Sequence, residues 1–93
     1  MKRSEIRENI FKLLFCAQFH SEQEIPTQMD SYFEELSELG ESDRMYMEEK
    51  FGRIKELSGE LDEKINNASR GWKTGRMGKA ELAILRLAVY EML

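Results

Sequence analysis

The 93-residue sequence holds one cysteine, one proline, one histidine and one tryptophan, and each scarcity closes a class of explanation. A lone Cys16 cannot make an internal disulfide, so a stapled secreted scaffold is excluded and a cytoplasmic location is expected. Cys16 and His20 stand four residues apart, as two ligands of a metal site would. No second Cys or His completes the set, and Cys16 reads as a small core residue. The same two residues make a poor nucleophile–base pair, since an apolar helix surface offers no oxyanion site and no cleft. Gly71, Gly75 and Gly78 follow no strand and precede no Gly-Lys-Ser/Thr ending, which rules out a phosphate-binding loop. No catalytic residues, cofactor or metal are expected; the chain does not read as an enzyme. It has no apolar run near the roughly 18 to 20 residues of a membrane span. Glu5, Arg7, Glu8 and Lys12 interrupt what a signal peptide would keep apolar.

What is present is helical periodicity. With 41% hydrophobic and 34% charged residues, the composition is that of a globular protein, and the length allows one domain with a thin stability margin. Ser4 is placed to cap a first helix reaching to about His20, with Ile6, Ile10, Leu13, Leu14 and Ala17 on one face. Phe11, Phe15 and Phe19 form a second stripe on an adjacent face. A second helix starts near Pro26, carries Met29, Tyr32, Phe33, Leu36 and Leu39, and stops at Gly40. Ser42 can cap a third, carrying Met47, Phe51, Ile54 and Leu57 to a break near Ser58-Gly59. A short fourth holds Leu61, Ile65 and Ala68. Residues 69–78, with three glycines, read as a loop, and a fifth helix runs from Lys79 onward, apolar nearly all round. No strand alternation appears. The fold class is all-α, a bundle of about five helices.

Charge is segregated along this bundle. Residues 1–12 are net +2, residues 21–64 net −9, and residues 70–79 carry Arg70, Lys73, Arg76 and Lys79 with no acid. An overall charge of −4 therefore does not exclude nucleic acid, because a ligand responds to potential within about 10 Å. Arg3 and Arg7 are spaced to project from one side of the first helix turn, with Lys2 beside them. A helix N-terminus adds unpaired N–H groups suited to phosphate, and arginine can stack on splayed RNA bases. Such a cluster is common on ordinary surfaces. Trp72, inside the second basic run, is more typical of a core plug.

Two stretches carry a family resemblance. The opening Arg3-Ser-Glu-Ile-Arg7-Glu8-Asn-Ile-Phe-Lys-Leu-Leu-Phe15 resembles the first helix of the NusB family of bacterial transcription antitermination factors. The closing Trp72-Lys-Thr-Gly-Arg76-Met, with Glu81-Leu-Ala-Ile-Leu-Arg86-Leu-Ala-Val-Tyr90-Glu91-Met, is similar to that family's later signature. The resemblance spans residues 1–93 and implies a NusB-like helical domain. It also implies a truncation: family members continue for roughly 40 residues more, enough for two or three helices.

The resemblance further implies pairing with NusE, a ribosomal small-subunit protein, and binding of single-stranded boxA RNA from ribosomal RNA operons within the RNA polymerase antitermination complex. Lys2, Arg3 and Arg7 match the basic motif that would contact RNA, and Phe15 and Glu81 match positions that would engage NusE. Arg86, Tyr90 and Glu91 match positions assigned to tying helices together. Ser4 stands where many relatives have another arginine, which weakens the patch. With the later helices missing, helices one and five are expected to leave apolar faces open to self-association. The rival reading is a helical interaction module without RNA contact, such as the NusB-like appendage of an RNA methyltransferase. A DNA-binding helix-turn-helix is disfavoured because no base-reading helix follows a tight turn.

Overall fold

The computed structural model describes residues 1–36, 39–69, 71 and 73–93. Among these it contains five α-helices: α1 (Arg3–Ala17), α2 (Ile25–Glu35), α3 (Glu41–Glu56), α4 (Ser58–Ala68) and α5 (Lys79–Met92). One 3-10 turn, Thr74–Arg76, precedes α5, and no strand occurs among the described residues. The expected all-α class is what is found. The chain divides into two compact units, Met1–Phe51 and Gly52–Leu93, so α3 runs through the division.

In the first unit α1 lies against α2. Its buried residues Asn9, Ile10, Leu13, Leu14 and Ala17 recur at three- and four-residue steps, the spacing that puts side chains on one face of a helix. From α2 come Ile25 and Phe33, and from α3 Met47 and Phe51. Arg44 ties α3 to α2: its Nη2 lies 3.0 Å from an Asp30 oxygen, its Nε 3.0 Å from Glu48, and its guanidinium 5.0 Å from the centre of the Phe33 ring. Neighbouring carboxylates hold the Arg44 pKa above its ordinary value, the hydrogen bond to Glu48 contributing most.

In the second unit α4 packs on α5 and on the 3-10 turn. Ile65, Met77 and Leu82 form a buried cluster, with Leu85 and Val89 packed against it at partial exposure. Arg86 clamps Asp62 with two parallel bonds, Nε and Nη2 each 2.7 Å from a carboxylate oxygen. The structural role the resemblance implies for Arg86 is realised in this pair.

Helix limits differ from expectation in instructive ways. Lys2, in extended backbone, is the N-cap of α1, and Ser4 lies inside the first turn. The first helix ends at Ala17, short of His20, and α2 ends at Glu35 before Leu36 and Leu39. Ser42 is likewise already helical, since α3 begins at Glu41. The break between α3 and α4 falls at Leu57, and Gly59 sits within α4. Cys16 is exposed and not a core residue. It lies at the edge of a pocket that Ile25 and Met29 of α2 also line. Trp72 and Arg70 lie outside the described residues.

Candidate nucleic-acid and partner interface

The N-terminal turn of α1 begins without a side-chain cap. Lys2, Arg3, Ser4 and Arg7 are all exposed there, and Arg7 already makes an interaction within the fold. The Met1 ammonium lies 3.1 Å from an Asp43 oxygen, which holds the start of the chain against α3. Lys2 and Arg3 therefore sit on an anchored backbone.

The three cations do not share one setting. At a turn of about 100° per residue, Arg3 and Arg7 lie 40° apart around the helix. Lys2 instead faces an open polar cleft lined by Glu5, Glu8, Asn9, Lys12 and Glu35 among others. Glu8 is spoken for in part by Lys12, whose Nζ is 3.3 Å away. The arginine side of the turn is thus the more positive one, and Lys2 works among carboxylates.

From that turn an aromatic ridge runs down the exposed side of α1. Phe11 and Phe15 stack with ring centres 6.3 Å apart, and Phe15 meets Phe19 edge-on at 5.2 Å. Phe11 and Phe15 are half-buried, whereas Phe19 is 58% exposed. Phenylalanine pays a solvation penalty for such exposure, and ridges of this kind on a soluble protein usually meet another surface. Phe15 thus packs between the two other rings of the stripe that the four-residue spacing marks in the sequence.

Glu81 occupies the first turn of α5, in the second unit, and is exposed. Its carboxylate turns back toward Gly78, so close that a Cβ added there would lie 3.1 Å from Glu81 Oε1. An acid in a helix's first turn is favoured by the backbone dipole, which gives Glu81 a local structural role as well.

Cys16 and His20 border a pocket of about 160 Å³, whose apolar wall includes Leu13, Ile25, Met29 and Phe51. His20 Nδ1 lies 3.9 Å from Glu24, itself held below the usual carboxylate range chiefly by the Ser21 backbone N–H. Among the described residues no group of three or more His, Cys, Asp or Glu could hold a metal ion. None of the described helices is long and apolar enough to cross a membrane.

Over the described residues the chain is an all-helical protein with cations at the start of α1 and an aromatic ridge along it. The sequence model of the NusB family matches residues 4–93, and the chain belongs to that family. It is 49% identical over 92 residues to the transcription antitermination protein NusB of Agathobacter rectalis, covering 99% of this chain and 70% of that protein. With the same protein of Lachnoclostridium phytofermentans identity is 42% over 92 residues, covering 99% and 70%. With that of Acetivibrio thermocellus it is 35% over 95 residues, covering 99% and 62%. The relatives are thus longer than this chain, and their names support a role in transcription antitermination. No solved structure gives a significant match.

Proposed function

We propose that the chain is an RNA-binding antitermination factor that works by positioning and not by catalysis. In this reading Arg3 and Arg7, with Lys2 at the edge of the patch, hold phosphates and stack on bases of single-stranded boxA RNA from ribosomal RNA operons. The aromatic ridge around Phe15, and Glu81, engage NusE, so that the pair is carried into the RNA polymerase antitermination complex.

The supporting observation is the exposed, anchored start of α1, where Arg3 and Arg7 project from one side of an uncapped helix N-terminus. Free N–H groups and the positive end of the helix dipole add to the arginine charge. The ridge continues the same four-residue stripe further along the helix, so RNA at its start and protein beyond would lie end to end.

The test is a gel shift of boxA RNA with and without NusE. An Arg3→Ala/Arg7→Ala double variant should lose roughly tenfold or more in RNA affinity, and binding by the parent should fall steeply with salt as condensed counterions are released. A double variant that binds RNA as tightly as the parent refutes the RNA assignment. If it also still pairs with NusE, the protein-interaction module without RNA contact becomes the better account.

A further inference from the structure

A second group of cations lies outside α1. From Lys64 to Ala80 the sequence holds Lys64, Arg70, Lys73, Arg76 and Lys79 and not one acid. The described part of this run is a braced turn. Lys73 Nζ donates to the Asn66 carbonyl at 2.8 Å and the Ser69 carbonyl at 3.4 Å, closing the end of α4. The Thr74 N–H donates to Asn66 Oδ1 at 2.8 Å, and the Arg76 N–H to the Lys73 carbonyl at 2.9 Å. Immediately after Arg76, the buried Met77 packs with Ile65 and Leu82.

Arg76 is thus exposed on a backbone pinned on both sides. A long cation on a pre-ordered backbone loses less freedom on binding than one on a loose loop. Beside it, a Cβ on Gly75 would meet nothing within 4 Å, so the surface next to Arg76 is open there. The nearest acid in sequence, Glu81, turns toward Gly78 and offsets part of the charge, leaving Lys73, Arg76 and Lys79 in excess.

We propose that Arg76 makes a second phosphate contact to single-stranded RNA, from the second unit of the chain. Polynucleotide is favoured over a protein partner because residues 73–80 expose no large apolar side chain. Protein interfaces draw most of their energy from buried apolar and aromatic anchors, and this turn offers charge without one. The proposal rests on the RNA reading of α1.

Fluorescence anisotropy with two labelled single strands of equal length, one carrying boxA and one of uridine only, tests it over a salt series. The proteins are the parent, Arg76→Gln, Arg76→Lys, the charge-matched control Arg53→Gln, and the Arg3→Ala/Arg7→Ala variant. Arg76→Gln should weaken both RNAs and flatten the log K against log salt slope by about 0.7, the value for one single-strand phosphate. The effect should be equal on the two sequences, because phosphate contacts carry no base information. Arg76→Lys should restore the slope, Arg53→Gln should leave it unchanged, and thermal melts should coincide. An unchanged slope for Arg76→Gln, alongside a parent that binds and an Arg3/Arg7 variant that does not, overturns this contact alone; an Arg76 facing a protein carboxylate would give that result. A parent that binds neither strand overturns both readings.

Discussion

Asn9 is the buried polar residue of α1, and its side chain is fully employed. Its Nδ2 donates to the Glu5 carbonyl at 2.8 Å, and its Oδ1 accepts from the Tyr32 hydroxyl on α2. The contact joins α1 to α2 by a directional bond beside the buried Ile10, Leu13 and Phe33. Tyr32→Phe would leave Asn9 Oδ1 without a partner in a buried place, a loss of about 1–3 kcal/mol. Burial, and then the charges of Cys16 and Glu8, raise the Tyr32 pKa above its ordinary 10.0. A group whose folded pKa is raised stabilises fully below its unfolded value, and the contribution is lost as pH climbs through the folded one. Urea denaturation of parent and Tyr32→Phe should therefore differ at neutral pH and converge in alkali. Equal stability of the two at neutral pH would remove Asn9–Tyr32 as a tie between α1 and α2.

At the scale of the helices, the pairing of α4 with α5 depends on a bridge as well as on Ile65 and Leu82. Asp62 and Arg86 are 25% and 21% exposed, enough burial for the geometry to matter and enough water to screen the charges. Arg86→Ala should cost about 1–3 kcal/mol in chemical denaturation, and Arg86→Lys about half as much, since lysine cannot make the parallel pair of bonds. A neutral Arg86→Ala would leave the apolar cluster as the whole of this interface. Helix order and the buried residues Ile10, Leu13, Phe33, Phe51, Leu61 and Ile65 were legible in the sequence, because burial on one side imposes a period. Helix ends were less so. Ser4 and Ser42 are good caps by type, yet Lys2 and Gly40 precede the helices, because cap preference is worth only about 1 kcal/mol. The exposure of Cys16 was hidden for another reason: periodicity shows how wide an apolar arc is, and only the neighbouring helix decides which part is covered. The candidate site rests on family likeness more than on physics, since two arginines at a helix start are ordinary on any surface. What no pattern disclosed was the difference in setting there, with Lys2 lining an acidic cleft that neither Arg3 nor Arg7 lines.

For the whole molecule, the open question is what meets its uncovered apolar surface. The fifth helix was expected to be apolar nearly all round, and one side of it leaves Ile84 50% exposed. Ala80 and Ala88 lie near Ile84 on the helix surface by their spacing, so two helices could approach closely there. We expect the chain to self-associate through this face, with a second copy covering Ile84. A net charge of −4 opposes such pairing only weakly at moderate salt, because the acids are concentrated in residues 21–64. Sedimentation velocity over a concentration series should show apparent mass rising with concentration. Ile84→Lys should shift the dissociation constant by roughly tenfold or more, the effect of returning a half-buried isoleucine to water in each of two copies. Helix content should be unaltered, as Ile84 is already exposed in the single chain. A sharp monomer boundary for the parent at every concentration would eliminate self-association, and would mean that the surface of α5 tolerates water unaided.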